Sequence, residues 1–577
     1  MIAWLAPAWA LMAAATGGVG WMIGPLRLSS RQPWRPAIAG IMAALYCAWR
    51  FPRAEIEADG VWLERGLRRM SPPVVVVPLL IATALGIGIW FGTFAVGGSD
   101  SYGYVSQARL WMHGTLRIAQ PWVQQMSWPQ REWTFAPLGY RPLSNDGTIV
   151  PTYAPGLPML MAAFERIFGD TGPFLPVPVL GALAIWFTYL LGREATGSKS
   201  VGLVAGMLLL TSPIFLAYTM QPMTDAPMAA LWALVCLLAI REPRPRALAA
   251  GLAAGSALLI RPNLLLLVLM PLAAWLWPSV RRKTAWAVFL RHALLFCAGL
   301  APGVLAIAII NTYLYGSPLV SGYGNLGDLY RLRPAATNLV HYGSWLTYSE
   351  TPLVALAIVP LVIRKPLRAG EQSSSARAAL GSVLIFTLLS YLFYFPFDAW
   401  FYLRFLLPAF PALFILIALA IRLICLPLPS SLRAPAACLL CLVFAAHGLR
   451  VGREWGIFNQ RSYERRYEQV AHYVTKFTTP NAVLISGQHS GSVRYYAERL
   501  TLRWDWLPED KLDAAIAELR TKGYYPYILL DETEEQPFRE RFGPSNAAGT
   551  LNWKPMAMLA GDTNIYDPAM SIETSHR

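Results

Sequence analysis

Long stretches of apolar residues, separated by short charged loops, dominate the chain up to about position 450. The run Val74–Val96 contains no charged residue, and a helix of that length can span the hydrocarbon core of a bilayer. Runs of this kind predict about eleven to thirteen membrane helices. We place them near residues 2–24, 37–49, 74–96, 173–191, 200–218, 222–240, 247–260, 262–278, 288–311, 350–363, 379–397, 403–421 and 434–449.

The pattern changes after about residue 450, where charged residues become more frequent. Helical and strand patterns alternate there, with helices near 463–477 and 512–519 and strands near 482–486 and 527–530. This alternation predicts a small soluble α/β domain. The fold class expected for the whole chain is therefore an all-α polytopic membrane protein with a C-terminal α/β domain. The division that we predict is N-terminal membrane helices with a cytoplasmic loop at 1–70, a main membrane domain at 71–450 and an external domain at 451–577.

Composition agrees with a membrane protein. Of 577 residues, 55% are hydrophobic and only 14% are charged, which is more apolar sequence than a single water-soluble core requires. The formal net charge is +15, but the basic residues lie in short loops between apolar runs, so no nucleic-acid partner is expected. The six cysteines lie in or beside apolar segments, without the spacing of a zinc finger or of a disulfide framework.

The basic loops also predict orientation, because loops rich in Lys and Arg stay in the cytoplasm. Four loops of this kind are mutually consistent with the helix count: 50–70, 241–246, 281–291 and 364–377. This places three segments outside, namely the loops 97–172 and 312–349 and the C-terminal region. Arg27, Arg31 and Arg35 would then lie outside as well, so the topology of the first two helices stays open. The first run has no basic residue before it, and we interpret it as a retained anchor.

Asp100 is the acidic residue with the most informative position. It follows the run Val74–Val96 by four residues and begins a polar, aromatic-rich loop. A carboxylate at this boundary can lose its proton to water and still reach a lipid headgroup. Taken alone, the residue is equally consistent with a solvated acid at a helix end.

Five motifs in chain order resemble those of the GT-C membrane glycosyltransferases, the superfamily of the protein mannosyltransferases and the bacterial lipid A sugar transferases. They are Ser99-Asp100-Ser101-Tyr102-Gly103-Tyr104, followed by Gln107-Ala108-Arg109; Tyr153-Ala154-Pro155-Gly156-Leu157-Pro158; Met223-Thr224-Asp225-Ala226-Pro227; Ile260-Arg261-Pro262-Asn263; and Tyr402-Leu403-Arg404-Phe405-Leu406-Leu407-Pro408. The second motif resembles the start of an interfacial helix, which we expect to end near Phe168. Two departures are that no Lys precedes Pro155 and that Ser101 stands where some members have a second acid.

The resemblance implies an enzyme of the bacterial inner membrane that uses a sugar linked to a polyprenyl phosphate. Its acceptor would be a lipid, a glycan or a protein on the external face. Phosphate is a good leaving group, so one carboxylate acting as a general base can suffice, unlike the two carboxylates of glycoside hydrolysis. Asp100 is our candidate for this catalytic base. A single displacement would invert the anomeric carbon.

The departing phosphate needs cationic partners on the same face, and Arg261 and Arg404 are our candidates. Both lie at external helix ends in the predicted topology. A guanidinium can pair with two phosphate oxygens and keeps its charge. The alternative for each is an arginine that only extends its head to the membrane interface.

Several residues are possible substrate ligands with a simpler alternative. Asp225 can cap a helix, His341 can be a solvated loop histidine, and Asp398 can be an interfacial acid. The full set of possible substrate-binding residues is Tyr102, Tyr104, Arg109, Arg141, Tyr153, Asp225, His341 and Asp398. For most of the tryptophans of the first external loop we favour the headgroup level over sugar stacking; the four are Trp111, Trp122, Trp128 and Trp133.

Two further features carry weak signals. The resemblance leaves a divalent cation (Mg²⁺ or Mn²⁺) open, but Asp100, Glu132 and Asp146 form no close Asp-x-Asp pair, so no tightly bound metal is predicted. The segment Gly487–Gly491 follows a predicted strand like a phosphate loop, but it lacks the Lys and the spacing of one.

Two other functions compete with a glycosyltransferase. A polytopic transporter or lipid flippase would more often have repeated halves and ionisable residues in the middle of its helices. A ligase or polymerase of surface polysaccharide would need a large external loop late in the chain. Here the ionisable residues lie at helix ends and the longest external loop is early, which favours the transferase.

Overall fold

Helices make up most of the membrane region, and a five-stranded sheet lies near the C-terminus. The computed structural model describes residues 72–570, with gaps at 144–145, 242–245, 282–285 and 364–371. Of the first 71 residues it describes 20–23, 26–29, 34–52 and a few scattered positions.

The α-helices longer than six residues are, in chain order, α1 (Trp34–Arg50), α2 (Pro73–Trp90), α3 (Asp100–Met112), α4 (Gly156–Phe168), α5 (Pro176–Thr196), α6 (Lys199–Thr211), α7 (Pro213–Thr219), α8 (Asp225–Ile240), α9 (Ala247–Ile260), α10 (Leu269–Arg281), α11 (Trp286–Tyr315), α12 (Ala335–Glu350), α13 (Gln372–Leu392), α14 (Phe410–Cys425), α15 (Ser430–Glu454), α16 (Gln460–Phe477), α17 (Leu512–Thr521) and α18 (Glu532–Phe542). Irregular 3₁₀ turns precede several of them, and the longest is Trp400–Ala409, which leads directly into α14.

Six of the described helices are long and apolar enough to cross a membrane, or eight if each of two bent pairs is one span. The bent pairs are α6 with α7, at 69°, and α12 with Pro352–Val362, at 107°. Three shorter apolar helices coincide with predicted spans, at Asp225–Ile240, Ala247–Ile260 and Pro262–Leu276. The chain is therefore an integral membrane protein, and some of its expected spans are short or bent.

The predicted span at 74–96 ends early. Helix α2 stops at Trp90, and an irregular segment leads to Asp100, which is the first residue of α3. Gly98 within this segment has φ = 58°, a left-handed conformation that glycine adopts without strain. The apolar run conceals this break, because Phe91–Val96 remain hydrophobic although they leave the helix.

The helix predicted at 2–24 is wrong at its end. Gly20–Ile23 form strand β1, which pairs antiparallel with β2 at Leu26–Ser29. Most of the remaining run lies outside the described residues.

The C-terminal region has the expected α/β character. Its strands are β5 (Ala482–Ile485), β6 (Leu500–Leu502), β7 (Tyr525–Leu530), β8 (Ala557–Leu559) and β9 (Thr563–Tyr566), after the loop hairpin β3 (Tyr140–Pro142) and β4 (Ile149–Pro151). The spatial order is β6-β5-β7-β9-β8. Strand β5 is parallel to both neighbours, whereas β9 is antiparallel to β7 and to β8.

Part of the first external loop belongs to the core of this C-terminal region. Val123, Met126, Trp128 and Phe135 are buried in one hydrophobic cluster with residues of β5, β6, β7, α17 and α18. Trp128 is only 3% exposed, so the headgroup position that we favoured for it is wrong. This part of the loop 97–172 and the C-terminal region therefore share one packed core.

Candidate active site

Asp100 lies at the N-terminus of α3, where the helix dipole stabilises a negative charge. Its Oδ1 accepts a hydrogen bond from the hydroxyl of Tyr153 at 2.6 Å. Its Oδ2 accepts one from Nη1 of Arg404 at 3.0 Å. The Asp100 side chain keeps 25% exposure, so the carboxylate is braced on two sides and still accessible.

Arg404 comes from the 3₁₀ segment before α14, about three hundred residues away in sequence. Its side chain is 13% exposed, and its guanidinium lies over the rings of Tyr218, Tyr402 and Phe405 at 5.4 to 5.5 Å. Its Nε is buried and has no hydrogen-bond partner among the described residues. An arginine that only reached for the interface would not be enclosed in this way.

Arg261 and Asp225 form a second pair beside the first. Nη1 of Arg261, at the end of α9, donates to Oδ1 of Asp225, at the start of α8, at 2.7 Å. Asp225 is 2% exposed, and a buried charge of this kind requires a partner. Arg261 and Arg404 each lie 5.5 Å from the centroid of Phe405, so the two guanidinium groups flank one ring.

The position of Arg261 follows from close helix packing. Gly251 and Gly255 of α9 face Gly299 and Gly303 of α11, and a side chain at any of the four would overlap the opposite backbone or press against it. Small residues allow membrane helices to approach in this way. Helix α9 consequently holds its last turn, and with it Arg261, in a fixed place.

Tyr153 connects Asp100 to the aromatic residues around it. Its hydroxyl lies 2.7 Å from Oγ of Ser99, and its ring packs on Tyr104 at 4.6 Å and on Tyr323 at 5.9 Å. Burial, and next the charge of Asp100, raise the pKa of Tyr153 well above its ordinary value. Tyr153 therefore stays protonated and acts as a hydrogen-bond donor to the carboxylate.

The other predicted ligands lie elsewhere. Tyr102 is buried against Tyr140, at 5.6 Å between rings. Arg109 pairs with Glu165 at 3.3 Å and lies over Tyr495.

Two further groups are engaged outside the cluster. Arg141 donates to the carbonyls of Ser321 and Gly322, at 3.4 and 3.2 Å. Nδ1 of His341 is 2.8 Å from the carbonyl of Phe397, and the nearby Asp398 is 96% exposed. The cluster around Asp100 therefore contains Tyr104, Tyr153, Asp225, Arg261 and Arg404.

The carboxylates of the first external loop do not form a metal site. Across the described ranges no group of three or more His, Cys, Asp or Glu side chains lies together. Glu132 pairs with Gln124 at 3.1 Å, and Asp146 accepts from the backbone of Thr148 at 2.8 Å. Asp100 faces a guanidinium, so the residues present do not fit a divalent cation held by several carboxylates.

Sequence reasoning missed several residues of the site. Tyr218, Tyr391 and Phe405 surround the two arginines, and Tyr323 reaches the cluster from the second external loop. Only Phe405 lies inside a recognised motif, so no sequence signal pointed to the others. The segment Gly487–Gly491, which weakly resembles a phosphate loop, binds a carboxylate of the protein itself. The amides of Gly487 and Gln488 donate to Oε1 of Glu534 at 3.0 and 3.1 Å.

Residues 152–305 match the family model described as dolichyl-phosphate-mannose-protein mannosyltransferase. No curated protein matches the chain significantly. Among solved structures, ArnT from Cupriavidus metallidurans bound to undecaprenyl phosphate aligns with a TM-score of 0.55 and 13% identity, over 85% of this chain and 97% of that one.

Two structures of the archaeal oligosaccharyltransferase of Archaeoglobus fulgidus are also similar. AglB in complex with an inhibitory peptide and a dolichol-phosphate has a TM-score of 0.53 and 13% identity, over 86% of this chain and 75% of that one. The complex with Zn and sulfate has a TM-score of 0.52 and 14% identity, over 85% and 73%. The family-model match over residues 152–305 and the shared fold together support a membrane glycosyltransferase of the GT-C type.

Proposed function

We propose that this enzyme transfers a sugar from a polyprenyl-phosphate carrier to an acceptor on the external face of the membrane, with inversion and with Asp100 as the general base. The observation that carries the proposal is the shared carboxylate of Asp100, held between Arg404 and Tyr153 near the end of a membrane helix. The similar ArnT and AglB structures are complexes with undecaprenyl phosphate and with dolichol-phosphate, which supports a donor of that class.

Arg404 and Arg261 are suited to the donor phosphate. Arg404 uses Nη1 for Asp100 and leaves Nε without a partner, so one guanidinium can contact the base and a phosphate oxygen together. Arg261 is already oriented by Asp225 and can add the second cation. Both stabilise the charge that develops on the phosphate as the sugar departs.

The proposed reaction is a single displacement. An acceptor hydroxyl gives its proton to Asp100, and its oxygen forms a bond to the anomeric carbon from the side opposite the phosphate. The bond from that carbon to the phosphate oxygen breaks, and the polyprenyl phosphate leaves with the electron pair. Each oxygen of Asp100 accepts one hydrogen bond and keeps a second lone pair, so the partly exposed carboxylate can still accept the proton of an acceptor hydroxyl.

We propose a bacterial inner membrane as the location, with the C-terminal region outside. Four basic loops support this orientation. Protease added to the outside of spheroplasts should release fragments of residues 451–577, and protease on the cytoplasmic side should not. Cleavage from the cytoplasmic side alone would overturn the orientation and the external position of Asp100.

Comparative mass analysis tests the reaction and identifies the acceptor class. Surface lipids, glycans and glycoproteins are compared between cells with and without the protein, and between Asp100→Asn and Asp510→Asn variants. Asp510 is an exposed acid of the C-terminal region and serves as the matched control. We expect one sugar-bearing product to disappear in the deletion and in Asp100→Asn and to persist in Asp510→Asn. An unchanged profile in the deletion would refute the proposed transfer.

A further inference from the structure

The irregular segment before Asp100 packs closely against the C-terminal region. Gly97 lies flat on the ring of Tyr467, and a Cβ built on Gly97 would overlap three of the ring carbons. The next residue, Gly98, has φ = 58° and lies near the Tyr467 hydroxyl. A glycine is thus required at 97 by close approach and favoured at 98 by backbone conformation.

Tyr467 is itself held rigidly. It is 3% exposed, and its hydroxyl accepts a hydrogen bond from Nη2 of Arg466 at 2.9 Å. Its ring packs on the imidazole of His489 at 4.8 Å. Nε2 of His489, fully buried, is 2.7 Å from Oδ1 of Asp531, which also accepts from Thr563 at 2.8 Å.

This polar network has no evident part in the transfer reaction. Arg466 completes it, at 3.5 Å from Oδ2 of Asp531, so its charges are balanced inside the C-terminal region. Nε of Arg466 has no hydrogen-bond partner among the described residues, but the other contacts of this buried network restrain the residues around it. Within this network, Tyr467 is the residue whose ring contacts the segment before Asp100.

Two further contacts tie the same segment to the C-terminal region. The amide of Val96 donates to the hydroxyl of Tyr496 at 2.9 Å. Gly491 packs so closely on the ring of Tyr102, in the first turn of α3, that a side chain at 491 would overlap it. The chain is therefore clamped immediately before and after Asp100, from one side.

We propose that Tyr467 is a positioning residue for Asp100: its ring sets the path of Gly97 and Gly98, and thereby the direction in which the carboxylate leaves the start of α3. The inference rests on the proposed role of Asp100 as the base. Catalytic groups must be held within about 0.5 Å of the productive geometry, and a displacement of about 1 Å can cost about 10²-fold in rate. The C-terminal region would then contribute to turnover without touching the substrate.

A double-mutant cycle separates positioning from general stability. Gly97→Ala should lower the sugar-bearing product per copy of enzyme about tenfold, because the new methyl group collides with the ring. Tyr467→Ala should lower it to a similar extent, and Tyr467→Phe by less than threefold, because the ring remains. The double variant Gly97→Ala/Tyr467→Ala should be more active than Gly97→Ala alone, because the collision is removed.

Two measurements on the purified full-length protein need no acceptor. In Tyr467→Ala, amide exchange should accelerate in peptides covering residues 96–104, while β5 at Ala482–Ile485 keeps its protection. Binding of undecaprenyl phosphate should stay within threefold of the wild type, because Arg261 and Arg404 are not on the clamped segment. Equal acceleration in β5 would show a stability role only and would overturn positioning, as would unchanged exchange at 96–104 or a double variant no better than Gly97→Ala.

Asp100→Asn in the same product assay keeps the two proposals apart. If Asp100→Asn retains product, the proposed base is wrong and the positioning role fails with it. If Asp100→Asn loses product while Tyr467→Ala and Gly97→Ala do not, the base stands and only the positioning role fails.

Discussion

Asp100 lies between two regions, the membrane helices and the C-terminal region, that contribute different kinds of side chain. On the membrane side, Arg404 and Arg261 enter from distant helices, and Arg404 keeps a guanidinium nitrogen without a partner. On the C-terminal side, Arg466 pairs with Asp531, and the groups that contact the chain at Val96 and Gly97, Tyr496 and Tyr467, are uncharged; the charged Arg461 lies farther from Asp100, over the ring of Phe94. In the proposed mechanism, the charged partners of Asp100 therefore come from the membrane domain, whereas the C-terminal region contributes mainly packing contacts to the segment before Asp100.

The largest effect should come from the residue between the two sides. Asp100→Asn keeps the volume and removes the base, so product formation should fall by at least ~10²-fold. Product per copy of enzyme and thermal unfolding should be measured together. Near-normal turnover in a correctly folded variant would mean that Asp100 is only a partner of Arg404.

Substitutions in the core of the C-terminal region should mainly lower the free energy of unfolding. Phe135 is fully buried in the core that the external loop shares with the C-terminal region, so Phe135→Ala should cost about 3–5 kcal/mol of unfolding free energy there. Phe477→Ala, at a ring that is 53% exposed, is the matched control and should cost much less. Binding of undecaprenyl phosphate should be unchanged in both. A loss of that binding in Phe135→Ala alone would erase the distinction between the sides.

Substitutions of the two arginines of the membrane domain should mainly lower the affinity for the donor phosphate. Arg404→Lys and Arg261→Lys keep the charge and lose the planar fork, so the affinity for undecaprenyl phosphate should fall about tenfold in each. Arg520→Lys, in α17 of the C-terminal region, is the control and should bind as the wild type does. Unchanged affinity in both site variants, and also in both Arg→Ala variants, would leave the arginines a structural role only.

The smallest effects concern Tyr153, whose hydroxyl contacts both Asp100 and Ser99. Tyr153→Phe removes a hydrogen bond to a charged group and should lower product about tenfold. Ser99→Ala removes a contact between neutral groups and should lower it less than fivefold. The reverse order would mean that Ser99, and not the carboxylate, is the partner that matters.

Sequence reasoning found the fold class because membrane helices and a soluble α/β region have distinct local patterns. It also singled out Asp100, Arg261 and Arg404, each inside a short motif. It missed the end of α2, since Phe91–Val96 stay apolar beyond the helix. Hydropathy measures composition and cannot register the left-handed turn at Gly98.

Other site residues could not be predicted from the sequence, because only tertiary packing brings them together. Tyr391 meets Arg261 across more than a hundred residues, and Tyr467 meets Gly97 across more than three hundred. Trp128 was assigned to the headgroup level because loop tryptophans near a membrane commonly lie there. It is instead buried in a core whose other half lies at the far end of the chain.

Glu534 limits where a phosphate can bind on this protein. Its carboxylate accepts hydrogen bonds from the amides of Gly487 and Gln488 and from the indole of Trp504, at 2.9 to 3.1 Å, and so occupies the turn that resembled a phosphate loop in the sequence. A lipid phosphate cannot use the amides of this turn, because the carboxylate of Glu534 already accepts their hydrogen bonds. We therefore expect the carrier phosphate to bind beside Phe405, where Arg261 and Arg404 lie, and not at Gly487–Gly491.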